Sequence, residues 1–285
     1  MNLPGVLQRI DPPGTPSPLV FDLPHSGRDY PEDFGSTLPH AILRRAEDAH
    51  VGELLEGVTQ RGVTMLRALF PRTYIDTNRD EADIDATLLG EQWPHDLRPG
   101  PKTELGIGLI RRVIEPGVPI YERKLSIEEV RHRIERYYRP YRRALSEMIA
   151  QRHRQYGRVL HVDWHSMKSA GNKSTPDGDG AERADFVLGD LRGLACDTEI
   201  TERVADRVRE LGYTVAVNDP YQGGDILRSY GRPASGVHSL QIEINRGIYM
   251  NEDSGEKTAN FARLNAHLTG PVLDRLVELI PPNSR

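Results

Sequence analysis

Short apolar runs and longer amphipathic stretches follow one another along the chain, and their periods predict its elements. Leu19–Leu23 is an apolar run cut off by Pro24, which reads as a buried strand. Residues 40–60 place Leu43, Ala46, Val51, Leu54, Leu55 and Val58 on or near one helical face and stop at Gly62, which predicts a helix. Strands are expected at 63–69 and 73–77, followed by a charged, turn-rich excursion over 80–108. Ser126 and Glu129 form a capping-box signature that opens a helix running to about Tyr156, with a kink at Pro140. Further strands are expected at 158–163, 185–188, 213–217 and 238–245, and a helix at 198–211. A last helix over 255–280 is broken near Gly270 and Pro271. This alternation predicts an α/β sandwich around a mixed or mostly parallel sheet. No repeat and no linker composition interrupts it, so residues 1–285 are expected to form one domain, with 1–18 as an irregular, proline-rich lead-in.

Composition narrows the function classes. The chain carries 37 Lys and Arg against 42 Asp and Glu, a formal charge of −5, and a general nucleic-acid or membrane-surface binder would be basic instead. Mean hydropathy is −0.55, and no apolar run approaches the roughly 18 residues of a membrane span. The N-terminal stretch has no apolar core of a signal peptide, so a cytoplasmic protein is expected. A single cysteine, Cys196, excludes an intrachain disulfide framework and a cysteine metal cage. It reads as a small buried hydrophobe.

Chemistry is concentrated where strands finish, and in open α/β sheets ligands bind beyond strand ends. The first strand runs straight into Pro24-His25-Ser26-Gly27. Period-2 geometry puts His161, Asp163 and His165 on one face of the strand 158–163 and its continuation. In the strand 238–245, Leu240, Ile242 and Ile244 point one way and Gln241, Glu243 and Asn245 the other. A polar row on so apolar a strand needs a solvated or metal-filled pocket, because an unpaired buried carboxylate is costly. Two histidines and carboxylates converging from separate strands fit a mononuclear zinc site with an open position. Such an ion polarises a carbonyl and acidifies water, and a nearby unligated carboxylate can take the proton. No His-Glu-x-x-His sequence is present, and a strand-end histidine bonded to backbone is the competing reading of His25.

Taken in order, Pro24–Gly27, Glu47-Asp48-Ala49, Ile75-Asp76-Thr77-Asn78-Arg79, 106–111, Asp163-Trp164-His165-Ser166-Met167, 185–190, Gly223-Gly224 and Gln241–Arg246 resemble the N-formylglutamate amidohydrolase (deformylase) family. The resemblance covers about residues 19–251. It implies a phosphorylase/hydrolase-like three-layer α/β sandwich with a mixed sheet, similar to zinc carboxypeptidases, and one zinc ion (Zn2+). In zinc carboxypeptidases a ligand glutamate follows the first histidine by three residues; here that position is Arg28. The resemblance therefore assigns Asp48, expected on the helix 40–60, as the acidic ligand beside His25 and His165, with Glu47 as its competitor. It matches Glu243 to the general base, with a salt bridge to Arg246 as the competing reading. Asp163, on the strand face of His165, is expected behind that ligand unless it only packs against a basic neighbour, and Arg228 is the candidate cation at the oxyanion. Asn78, Arg79, Lys168, Gly223, Gly224 and Arg246 become the substrate-binding set. Asp225 is a departure that adds negative charge near a site meant for anions. His50 and His161 are expected to be a helix-face and a core-edge residue, and Tyr137, Tyr138 and Tyr141 core and rim packing.

The activity implied by the resemblance is that of a metal-dependent amidohydrolase, which takes the formyl or a short acyl group from an acidic N-acyl amino acid such as N-formyl-glutamate. Amino-acid catabolism, as in histidine degradation, is the expected setting. A carboxypeptidase-like peptidase and a non-catalytic binding protein on the same fold are the alternatives. No nucleic-acid or membrane partner is expected, and a homo-oligomer is left open.

Overall fold

The computed structural model describes residues 2–281. Its strands are β1 (Asn2–Leu3), β2 (Leu7–Ile10), β3 (Leu19–Leu23), β4 (Thr64–Ala68), β5 (Val113–Glu115), β6 (Val118–Pro119), β7 (Val159–Met167), β8 (Phe186–Gly189), β9 (Val215–Val217) and β10 (Val237–Asn245). Its α-helices are α1 (His40–Leu43), α2 (Val51–Leu54), α3 (Pro101–Glu104), α4 (Ile127–Arg133), α5 (Arg139–Tyr156), α6 (Thr198–Glu210), α7 (Asp225–Tyr230), α8 (Asn260–His267) and α9 (Leu273–Leu279). Eight strands form one sheet in the order β1-β2-β4-β3-β7-β10-β8-β9. β7 runs parallel to β3 and β10, while β8 is antiparallel to β10. This is the mixed-sheet α/β class expected from the sequence.

The chain divides into two compact units. One comprises the chain up to Gln8, Pro24–Glu47 and Arg67–Ala144. It contains the β5–β6 hairpin and α4, opened by the full Ser126/Glu129 capping box. Its most buried cation is Arg133, 1% exposed, which donates to the carbonyls of Phe34 and Tyr74 and to the Tyr121 hydroxyl. The guanidinium carbon also lies 4.2 Å from the centre of the Tyr74 ring. Arg133 thus ties three segments of irregular chain to α4. Arg133→Met removes donors from two buried carbonyls, and each such loss costs about 1–3 kcal/mol, partly offset by no longer burying a charge. We expect a net loss of about 2–4 kcal/mol in denaturant unfolding; a more stable variant would show that the burial cost dominates.

The other unit comprises Arg9–Leu23, Asp48–Leu66 and the chain from Leu145 on. β7 is its centre, with all nine residues buried. On one face Leu160, Val162 and Trp164 join Leu240, Ile242 and Ile244 of β10 and Phe21 of β3 in the core. α6 covers part of it through Ile200, Val204, Ala205 and Val208, spaced as a helical stripe. Cys196 lies in this core, and burial pushes its thiol pKa upward.

Several expected elements differ. The helix over 40–60 is broken into α1, short 3₁₀ turns and α2, because Glu47 is extended (ψ 149°) and His50 is left-handed (φ 63°). Residues 73–77 bury Tyr74 and Ile75 as a strand would, but they form turns tied to Pro71 and Leu109 rather than a ladder. The lead-in is irregular only over 11–18: before it, β1 and β2 form a hairpin turning at Gly5 (φ 70°), too short to show alternation in the sequence. Near Pro140 the helix passes through a π-turn at 134–138, where the Arg139 amide donates to Ile134. That wider turn accommodates a residue without an N–H. The last helix is interrupted at Gly270, as expected. The β5–β6 hairpin and α7 have no counterpart among the elements read from the pattern. Among the described residues no helix is long and apolar enough to cross a membrane.

Candidate active site

The polar face of β7 and β10 is built by register. Parallel pairing sets His161 beside Ser239, Asp163 beside Gln241 and His165 beside Glu243. His161 is not at the core edge but fully buried, 2.7 Å from both Ser239 Oγ and Asp22 Oδ1. His165 is 2% exposed; its Nδ1 lies 3.0 Å from Asp48 Oδ2 and its Nε2 2.8 Å from Asp163 Oδ1. Burial opposes a charge on His165, but the carboxylates of Asp163, Asp48 and Glu243 outweigh it and raise its pKa well above the usual imidazole range. Burial pushes the Asp163 carboxyl up to about 6, with His165 pulling the other way. The carboxylates around this ring favour a positive charge there.

Asp48 reaches His165 because the chain breaks helix at that point. The extended Glu47 and left-handed His50 turn Asp48 inward, where it is fully buried. The junction is pinned by Tyr249 Oη donating to the Ala49 carbonyl and by His50 Nε2, 2.8 Å from the Gly255 carbonyl. Arg246, 8% exposed, donates to Asp48 Oδ1 at 3.3 Å and to Ser166 Oγ at 3.0 Å.

His25 follows the end of β3 by two residues. Its Nε2 lies 2.6 Å from Asp76 Oδ1, and both residues are buried. Asp76 also accepts from the Asn78 amide at 2.9 Å and from Arg72 at 3.0 Å, with Arg79 Nε at 3.9 Å. Burial raises the Asp76 pKa, but His25, Arg72 and Arg79 hold it well below the usual carboxylate range. The turn after His25 lies directly on neighbouring backbone: a Cβ on Gly27 would sit 2.3 Å from the Phe70 carbonyl oxygen. Only glycine fits there. Glu47 accepts from Tyr30 at 2.7 Å and pairs with Arg28 at 3.3 Å.

His25 in the first unit and Asp48 and His165 in the second are all buried, and each is of a side-chain type that ligates metal ions. Glu47 is buried as well, held by Tyr30 and Arg28. Of the other residues expected at the site, Asn78 is buried and Arg79 is 15% exposed at the side chain. Lys168 is half-buried just beyond β7, and Arg228 is exposed on α7. Gly223 is left-handed (φ 122°), and Gly224 donates its amide to Gln241 Oε1 at 2.9 Å. Glu243 is half-buried and accepts from Gln241 Nε2 at 2.9 Å. Sequence reasoning assigns no role to Asp76 or Gln241, although both lie inside the motifs that carry the resemblance. An acidic residue three before Arg79 was the available signal for Asp76.

A family model described as N-formylglutamate amidohydrolase matches residues 17–250. The chain belongs to the N-formylglutamate amidohydrolase family. It is accordingly a hydrolase acting on amide C–N bonds. An N-formylglutamate deformylase of Pseudomonas putida is 29% identical over 245 residues, covering 82% of each chain. One from Pseudomonas aeruginosa is 28% identical over 241 residues, covering 83% of this chain and 84% of its own. The crystal structure of an N-formylglutamate amidohydrolase from Ralstonia eutropha JMP134 superposes with a TM-score of 0.90 at 43% identity, covering 97% of this chain and 98% of that one.

Proposed function

We propose that this chain hydrolyses the formyl group from N-formyl-glutamate or a closely related acidic N-acyl amino acid in the cytoplasm, using one divalent ion, zinc, held by His25, Asp48 and His165. The observation that carries this reading is that buried His25 and buried His165 each have a ring nitrogen held by a carboxylate, Asp76 or Asp163, with Asp48 at the other nitrogen of His165. Two imidazoles and a carboxylate are a common catalytic zinc set, and a carboxylate behind each ring fixes its orientation. The cation demand around His165 supports the same reading. When bound, the ion supplies Lewis acidity to the carbonyl and lowers the pKa of water.

The chain's own groups would do the rest. Glu243 takes the proton of the attacking water as it adds to the formyl carbon, then delivers it to the amine nitrogen as the C–N bond breaks. Formate and a free amino acid result. Arg228 is the side chain we assign to the oxygen where negative charge develops. Arg79, with Asn78, grips a substrate carboxylate through its planar fork. Lys168 and the Gly223-Gly224 backbone complete the binding set, and Arg246 steadies Asp48.

The test is formate release from N-formyl-L-glutamate beside N-acetyl and N-succinyl analogues and blocked dipeptides, before and after chelation. Activity on the formyl acid that is lost with chelator and restored by zinc supports the reading. Preference for dipeptides would make it a peptidase, and no turnover with no bound metal would make it a binding protein. Arg79→Met is expected to cost about 2–4 kcal/mol in kcat/KM for the acid and much less for its carboxamide. Equal losses would make Arg79 structural. A parallel loss of bound metal would show that it acts through Asp76 and His25.

A further inference from the structure

We propose, on the reading that Glu243 is the base, that Gln241 is a positioning residue that clamps the Glu243 carboxylate for proton transfer. The two share the polar face of β10, two residues apart. The orientation of the Gln241 amide is decided by chemistry. Its oxygen lies 2.9 Å from the Gly224 amide, which can only donate, so its NH₂ group faces Glu243 Oε1, also at 2.9 Å. Gln241 is 5% exposed, so its end of this bond is shielded from competing water. One carboxylate oxygen is thereby held, and rotation of the carboxyl group is restricted.

The other end of the clamp is anchored by close backbone packing. Gly189 of β8 is the register partner of Gln241. A Cβ on Gly189 would lie 2.7 Å from the Gln222 carbonyl carbon and 2.8 Å from the Gly223 nitrogen, so glycine there lets the 222–224 segment lie against the sheet. That segment is tied to the loop after β8. The Leu191 amide donates to the Gln222 carbonyl at 2.8 Å, and Asp190 Oδ1 accepts from Asn218 Nδ2 at 2.8 Å and from the Gly193 amide at 3.1 Å. Leu191, Arg192 and Gly193 are consecutively left-handed, at φ 56°, 55° and 85°. A run of left-handed residues containing a leucine and an arginine persists only where its surroundings hold it. Here its first residue, Leu191, holds the Gln222 carbonyl, two residues before the Gly224 amide that donates to Gln241.

The experiment is a double-mutant cycle on the full-length, zinc-loaded protein, reading formate release, KM and bound metal. Gln241→Met is close in shape but donates nothing. It should lower kcat by about 10- to 100-fold, leave KM within about twofold, and keep the metal. Glu243→Gln should be far less active, and adding Gln241→Met to it should cause no further loss, because the clamp has nothing left to position. Gln241→Glu keeps an acceptor for Gly224 while losing the donor, and should fall at least as far; it serves if the Met variant does not fold. Wild-type kcat in the Gln241 variants beside an inactive Glu243→Gln would overturn the clamp alone. Multiplying losses in the double mutant would do the same, by showing that Gln241 acts independently. Near-normal turnover in Glu243→Gln itself would overturn the base assignment and the clamp together.

Discussion

Glu243→Gln is expected to retain the fold and the bound metal and to lose about 10²–10⁴ in turnover, or ~2.7–5.5 kcal/mol of transition-state stabilisation. The amide is nearly isosteric, and its oxygen can still accept from Gln241, so the strand and its neighbours need not move. What disappears is the ability to hold a proton between the attacking water and the departing nitrogen. Glu243 lies beside His165 in the register of β10 and β7, on the face away from the apolar core, which is why the loss should be chemical and not structural. Steady-state kinetics with metal analysis checks this. If the variant also loses metal, Glu243 is a ligand; if it turns over almost normally, the carboxylate is structural.

The second large effect is expected at the ligands. His25→Ala and His165→Ala should each reduce bound metal to background, and activity with it. In His165→Ala the buried carboxylates of Asp48 and Asp163 also lose the cation they share, so the metal-free variant should be less stable by about 3–5 kcal/mol. Full metal occupancy in both variants would remove these histidines from the ligand set. Metal retained in Asp48→Ala would transfer the carboxylate role to Glu47. Proton competition gives an independent check. Because the metal-free His165 keeps its proton well above the usual imidazole range, metal loading must displace it. Apparent affinity should then rise with pH between about pH 6 and pH 8, by up to tenfold per unit. Competition with a chelator across that range measures it, and a flat profile would show that His165 binds no metal.

Much of this arrangement could be read from the amino-acid order. Strand alternation placed His165 and Glu243 on polar faces, and β7 and β10 carry them there in neighbouring positions. Leu19–Leu23 is found with the bounds read from its apolar run. The helix over 40–60 was not legible as separate short pieces, because its apolar spacing is helical and the two decisive backbone angles, at Glu47 and His50, leave no compositional mark. The same spacing hid the inward turn of Asp48. Residues 73–77 look like a strand because Tyr74 and Ile75 are buried, but they lie in turns, with Tyr74 packed against Arg133, rather than in a ladder. The carboxylate behind His25 was invisible as a contact, since Asp76 lies 51 positions away in the chain.

The nine-residue pairing of β7 with β10 has a consequence for how this chain can change length. Side chains alternate between faces, so one inserted or deleted residue inside Val159–Met167 would send His165 to the apolar side and bring Trp164 or Ser166 in its place. The same change in the stretch between β7 and β8 alters no register. Length variation among descendants of this sequence should therefore gather at 168–185 and vanish from the two strands. A scan of single-codon insertions, selected for formate release, would trace that boundary directly.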